Sequence, residues 1–143
     1  MGSGLVDRSR PIVIDAASGV TGAGRAARRD LLFGEVAEDY RAYGAGNRHR
    51  HVPELERGLG RLGAGTPAPF IFTPHLLPVR RGILETIYVP LSEPMSAGDA
   101  TGLWAGAYED EPFVEVCGSG LPSLRQVVGH VRQIRQNQGS TYI

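Results

Sequence analysis

The densest run of side chains able to do chemistry is Asn47-Arg48-His49-Arg50-His51-Val52-Pro53-Glu54. Two histidines one residue apart share a face only where the backbone is extended, and Arg50 then points away. His51 immediately precedes a predicted helix, and the positive pole of a helix amino terminus disfavours a charged imidazole. A neutral imidazole is the form that a general base requires. Zinc binding is a competing reading, with Glu54 or His75 as third ligand, although His-x-His lacks the i, i+4 repeat of short helical zinc motifs. Histidines in a solvated polar loop would leave the same pattern. Spacing alone keeps all three readings open.

A second candidate is Ser18-Gly19-Val20-Thr21-Gly22-Ala23-Gly24-Arg25, which follows an apolar run and precedes a predicted helix. In that setting backbone amides can cradle an anion. The spacing Gly-x-x-Gly-x-Gly is not the dinucleotide fingerprint Gly-x-Gly-x-x-Gly, and no acidic residue marks a ribose site. A tight turn accounts for the glycines equally well. Arg25, Arg28 and Arg29 fit either phosphate contact or a solvated helix face. Cys117 has neither a helix amino terminus nor a base beside it in sequence, so it reads as structural. His75 lies between Pro74 and Pro78, which predicts a rigid loop. All fifteen basic residues are arginine, which excludes Schiff-base lysine chemistry and a Walker A loop.

The elements that would position these residues alternate along the chain. Pro11 to Ala16 reads as a buried strand ending at Ser18-Gly19, and Ala26 to Phe33 as a short helix. Val52, Leu55, Leu59 and Leu62 recur at helical spacing, so 52–62 is an amphipathic helix opened by Pro53 and stopped by Gly63 and Gly65. Phe70 to Thr73 and Gly82 to Val89 are further strands. Ser96 with Asp99 resembles a capping box opening a helix through Tyr108, with Leu103, Trp104, Ala107 and Tyr108 as its buried stripe. Phe113 to Val116 is a fourth strand, and Val127-Val128 a candidate fifth. Residues 34–51 read as irregular.

The order of elements predicts an α+β or α/β sandwich, and 143 residues suggest one domain. Fifteen acids balance fifteen bases, so no strongly basic nucleic-acid face is expected. No apolar run reaches the length of a membrane span, and no basic-then-apolar leader opens the chain. One cysteine excludes a disulfide framework and a multi-thiolate zinc site. Met1 to Gly4 reads as a start codon plus linker.

Some of these segments are recognisable together. Ile14-Asp-Ala-Ala-Ser-Gly-Val-Thr-Gly-Ala-Gly-Arg25, Ala42-Tyr43-Gly44, His49-Arg-His-Val-Pro-Glu54, Phe72-Thr-Pro-His-Leu-Leu-Pro78, Arg81-Gly-Ile83 and Glu111-Pro-Phe-Val114 occur in this order. They closely resemble the carboxy-terminal, substrate-binding half of the N-acetyl-γ-glutamyl-phosphate reductase family of arginine biosynthesis. The aminoadipyl-phosphate reductases of lysine biosynthesis look similar. The resemblance runs from about Leu5 to Gly129.

The resemblance implies a mixed, largely antiparallel sheet with helices packed on one face, like the carboxy-terminal domain of glyceraldehyde-3-phosphate dehydrogenase. It divides the chain into a leader (1–4), a substrate-binding and dimerisation domain (5–129) and a tail of unclear origin (130–143). The family reduces an acyl phosphate to a semialdehyde with NADPH through a cysteine thioester, with a histidine as acid/base. Carried over by motif, His49 is the acid/base. Tyr43, Arg50 and His51 orient it or bind substrate, and Ser18, Gly19, Thr21 and Arg25 line the substrate and phosphate pocket.

Several departures accompany the likeness. The family's nucleotide-binding domain and its Pro-Gly-Cys nucleophile motif are absent, and Cys117 does not match that motif. Gly129 is followed by His130-Val131 rather than Ser/Thr-Asn, and a later Asp-Asn-Leu segment is missing. The resemblance therefore implies an excised, truncated or re-engineered cytoplasmic domain that binds no cofactor and turns nothing over alone. Its expected partners are a second copy of itself, an acyl-phosphate small molecule and the nucleotide-binding domain, with neither nucleic acid nor membrane. A stand-alone oligomerising module without catalysis is the alternative.

Overall fold

The computed structural model describes residues 4–62, 68–118, 120–128, 132–137 and 140–142. Among these, seven strands form one sheet: β1 (Ile12–Gly19), β2 (Arg41–Ala42), β3 (Phe70–Leu77), β4 (Ile83–Tyr88), β5 (Val114–Val116), β6 (Arg132–Asn137) and β7 (Ser140–Tyr142), in the order β2-β3-β1-β4-β7-β6-β5. Only β1 with β3 and β5 with β6 run parallel; the other four pairings are antiparallel. The sheet is mixed and largely antiparallel, as expected. Four helices join the strands: α1 (Phe33–Val36), α2 (Val52–Leu62), α3 (Ala97–Ala107) and α4 (Leu124–Val127).

Side chains alternate between the two faces of a strand, so the apolar residues of β1 fall on one side. Ile12, Ile14 and Ala16 are buried there, in register with Phe70 and Phe72 of β3 and with Ile87 of β4. Val52 of α2 closes over this layer, with Leu55 and Leu59 packed against it. Trp104 of α3 reaches the same face, so both long helices lie on one side of the sheet. On the other side, register aligns Ile71, Val13 and Tyr88 in a row across three strands. Ile71 is 46% and Tyr88 47% exposed.

Several expectations are corrected. Ala26 to Phe33 is not a helix; only Arg29–Leu31 forms a 3-10 turn before α1 begins at Phe33. Arg41 donates to the Asp30 and Glu35 carbonyls and pairs with Asp39, which ties this stretch to the start of β2. Val127 belongs to α4 rather than to a strand. Ser123 and Gln126 form a capping box, with Gln126 Oε1 accepting from the Ser123 N–H at 3.0 Å. The buried stripe of α3 runs through Ala100 and Trp104 towards Tyr108, whereas Leu103 is 52% exposed and Ala107 is exposed. Ser96 does cap that helix, its hydroxyl accepting from the Asp99 N–H at 3.1 Å.

His75 sits in β3, not in a loop. The strand tolerates Pro74 because the Phe72 N–H points to the outer edge, so by strand alternation the missing Pro74 donor faces outward too. The ladder to β1 keeps all its donors, and the Pro74 carbonyl still accepts from Tyr43 at 2.9 Å. Part of the unplaced tail enters the sheet as β6 and β7. Gly63, Gly65, Gly129, His130 and Val131 lie outside the described residues.

Candidate functional site

The histidine motif occupies the connection between β2 and α2, and its shape begins at the edge of β3. β2 pairs only with His75 and Leu76, which leaves the Phe70–Phe72 stretch without an edge strand. Asn47 fills that gap. Its carboxamide donates to the Phe70 carbonyl at 2.9 Å and accepts from the Phe72 N–H at 2.8 Å. Its φ is +57°, a left-handed conformation that asparagine enters more readily than most residues. Gly44, also at φ +57°, lets the chain turn closely over His49, whose Cα would lie 3.4 Å from any Cβ placed there. The Arg48 N–H bonds the Gly44 carbonyl, and the Val52 N–H bonds the His49 carbonyl, which carries the chain into α2.

This turn brings three of the expected residues together. The His49 ring meets Tyr43, His51 and Phe72 edge-on, with centroids 5.3, 4.8 and 5.5 Å away. Its Nδ1 accepts from the His51 N–H at 3.3 Å. Partial burial, aided by the nearby charges of His51 and Arg50, pushes the His49 pKa below the ordinary imidazole value. The neutral ring is thus the resting form at neutral pH. With Nδ1 accepting, the single proton of that ring is on Nε2.

The glycine-rich turn is built differently. The Gly19, Val20 and Thr21 N–H groups donate to the carbonyls of Gly82, Val79 and Arg80, and the Thr21 hydroxyl donates to the Arg80 carbonyl at 2.7 Å. The Gly24 N–H is bonded to the Thr21 carbonyl. These amides are committed to the β3–β4 connection, so they are not an open cradle for an anion; Arg25 remains a side-chain candidate. Register sets Ser18 beside Leu76, four residues along β3 from Phe72. At about 3.3 Å per residue, the turn and His49 stand roughly 13 Å apart along the strand.

His75 lies apart from both groups. Its ring stacks on Tyr40 at 5.0 Å, and its buried Nδ1 has no hydrogen-bond partner. Among the described residues no group of three or more His, Cys, Asp or Glu side chains converges to hold a metal ion. Cys117, half-buried, follows β5. Over the helical face, Ile12, Ile14, Phe72, Ile87 and Val89 floor a cavity of about 490 Å³ whose rim carries His51, Glu54 and Glu85.

Sequence reasoning included Asn47 in the motif without assigning it a job, and it passed over Gly44 and Phe72 as parts of the site. A readable signal did exist. Asparagine between two short elements, just after glycines, carries donor and acceptor in one planar group and tolerates positive φ.

Comparison with known proteins fits this geometry. The model of the family described as "Semialdehyde dehydrogenase, dimerisation domain" matches residues 1–137. An N-acetyl-gamma-glutamyl-phosphate reductase of Geobacter sp. strain M21 is 50% identical over 127 residues, covering 88% of this chain and 36% of the relative. That of Rhodospirillum rubrum is 47% identical over 131 residues, covering 89% and 36%. The chain therefore spans about a third of the length of these relatives. Among solved structures, a probable aspartate-semialdehyde dehydrogenase from Pseudomonas aeruginosa superposes with a TM-score of 0.61 at 16% identity, covering 93% of this chain and 48% of that one. Aspartate semialdehyde dehydrogenase II from Vibrio cholerae gives 0.63 at 15%, covering 92% and 47%. At such identities the likeness is one of fold.

Proposed function

The chain belongs to the semialdehyde dehydrogenase dimerisation-domain family, and from that premise we propose that it is the substrate-binding and oligomerising part of an NADPH-dependent acyl-phosphate reductase. Its substrate class is an N-acetylglutamyl-type acyl phosphate, reduced to the semialdehyde. The observation that carries this reading is the His49 site: a partly buried, neutral imidazole fixed against Phe72 and Tyr43 in a chain half identical to reductases of that name.

In this reading a nucleotide-binding domain supplies NADPH and the cysteine that forms the thioester. This chain supplies the proton chemistry. In its resting neutral state His49 accepts the proton of the reacting thiol, and the imidazolium so formed returns it to the reacting oxygen. Tyr43 and His51 fix the ring laterally, and Arg50 adds positive charge beside a phosphorylated substrate. Ser18, Thr21 and Arg25 line the far end of the substrate pocket, with Arg25 as the anion contact, while Gly19, buried with its amide on the Gly82 carbonyl, shapes the turn that presents them. No residue here is assigned to a cofactor or a metal.

The row of exposed Ile71, half-buried Val13 and exposed Tyr88 is the proposed homodimer face, since an apolar strip across three strands gains stability when covered. Among the described residues no helix is long and apolar enough to cross a membrane; a cytoplasmic location is part of the proposal. The deciding experiment mixes this chain with a separately produced nucleotide-binding half of a reductase and follows NADPH oxidation on acetylglutamyl phosphate. Turnover only in the mixture supports the reading. Its absence, with both parts folded, favours a module that assembles without catalysing.

A further inference from the structure

We propose that Asn47 is the positioning residue for His49: its carboxamide stands in for a missing edge strand on β3 and thereby holds the imidazole in the Nε2–H tautomer. Two backbone groups create the need for it. The Phe70 carbonyl and the Phe72 N–H lie beyond the reach of β2, and Phe70 and Phe72 are core residues. Buried backbone groups left without partners are costly. One planar amide satisfies both at 2.9 and 2.8 Å. Aspartate would lose the donor, serine and alanine cannot span both groups, and glutamine adds a methylene that the tight turn does not accommodate.

Anchoring the loop at position 47 sets the course of the chain into α2. Two residues on, the His49 ring stands 5.5 Å from the Phe72 ring, over the same β3 residue whose N–H Asn47 captures. The His51 N–H then points at Nδ1. The groups facing the imidazole are Tyr43 from the start of the turn, Phe72 from β3, His51 from the start of α2 and the nearby cation of Arg50. None of them competes for Nδ1, so the tautomer is a product of the loop's placement. The meaning of that tautomer rests on the acid/base role proposed above: Nε2–H is then the donor that the ring offers to a substrate oxygen, while the lone pair that accepts a proton is on Nδ1. The placement itself does not depend on that role.

The test is nuclear magnetic resonance on the full ¹⁵N-labelled chain, without substrate. Long-range ¹H–¹⁵N spectra of the wild-type protein should show His49 neutral with its proton on Nε2. Asn47→Gly keeps the positive φ available and removes both hydrogen bonds. It should give a mixed His49 tautomer, a titration midpoint moved up towards the ordinary imidazole value, and exchange of the Phe72 amide about tenfold faster, while the His75 signals stay in place. Asn47→Asp, which retains the acceptor alone, should keep the Phe72 amide slow and still loosen the tautomer. A wild-type His49 protonated on Nδ1, a wild-type Phe72 amide exchanging like an unpaired one, or an Asn47→Gly His49 superposing on wild type would each overturn the proposal. These readouts need no turnover, so a failed reductase assay leaves the result standing, and a failed tautomer result leaves the reductase reading standing.

Discussion

Two turns of this molecule, 19–25 and 43–51, are both rich in glycine and both carry arginine, yet they are fastened in opposite ways. The first is tied down by its own backbone, which spends the Gly19, Val20 and Thr21 amides on the carbonyls of residues 79–82. The second is tied down by a side chain, Asn47, which satisfies the backbone of a neighbouring strand. The difference bears directly on chemistry. A turn whose amides are committed can contribute only side chains to a ligand. A turn clamped through one carboxamide leaves its remaining side chains free to be placed, and here they form a cluster of Tyr43, His49 and His51.

The sharpest way to separate the two turns is to remove the imidazole. In the mixture with a nucleotide-binding half, His49→Asn should lower kcat by roughly a hundred- to ten-thousand-fold, the usual contribution of a general acid/base. Arg25→Ala should mainly raise KM in the same assay. If both variants lost kcat equally, this division of labour between the turns would be wrong. Next in size is Gly19→Ala. The new Cβ would lie 2.9 Å from the Arg81 nitrogen and 3.0 Å from its Cα, backbone atoms that cannot step aside. A loss of about 1–3 kcal/mol is expected, read as a lower urea midpoint with unchanged slope.

Gly44→Ala tests the other turn. There the added methyl meets only ordinary contacts, but alanine at φ +57° is strained by about 1–2 kcal/mol. The same denaturation experiment should show that loss together with a shifted His49 resonance, which Gly19→Ala should not produce. The smallest effect is the pH dependence. Because folding lowers the His49 pKa below 6.5, the unfolded chain holds more of that proton as pH drops through this value. This contribution to stability is therefore lost as pH falls from 6.5 to the folded pKa and is constant beyond. Stability curves of wild type and His49→Asn should diverge within that window and run parallel above it.

How far the sequence reached can be seen residue by residue. The β-branched run Ile12-Val13-Ile14 announced β1, and Val52, Leu55 and Leu59 announced α2, because burying one face imposes a period that survives in the residue types. Ser96 and Asp99 marked the start of α3 through local capping chemistry. What escaped was decided at long range. Residues 26–33 form a 3-10 turn in place of a helix, with Arg41, from outside the segment, donating to the Asp30 carbonyl. His75 entered a strand because the donor that Pro74 lacks faces away from β1, so the β1–β3 ladder does not need it. Residue types singled out His49 as chemically able, but the contact of Asn47 with Phe70 and Phe72 leaves no periodic trace, so the device that aims the ring was not legible.

The sheet order carries one more consequence. β4 pairs with β1 on one side and on the other with β7, where Tyr88 faces Ser140. During synthesis the first four strands can assemble early while the second flank of β4 waits for a segment made much later. Until then that flank is an open row of donors and acceptors, a template on which any extended peptide could settle. Crowded nascent chains would meet their greatest danger there, and a chaperone that shields β4 should raise the yield of correctly closed molecules.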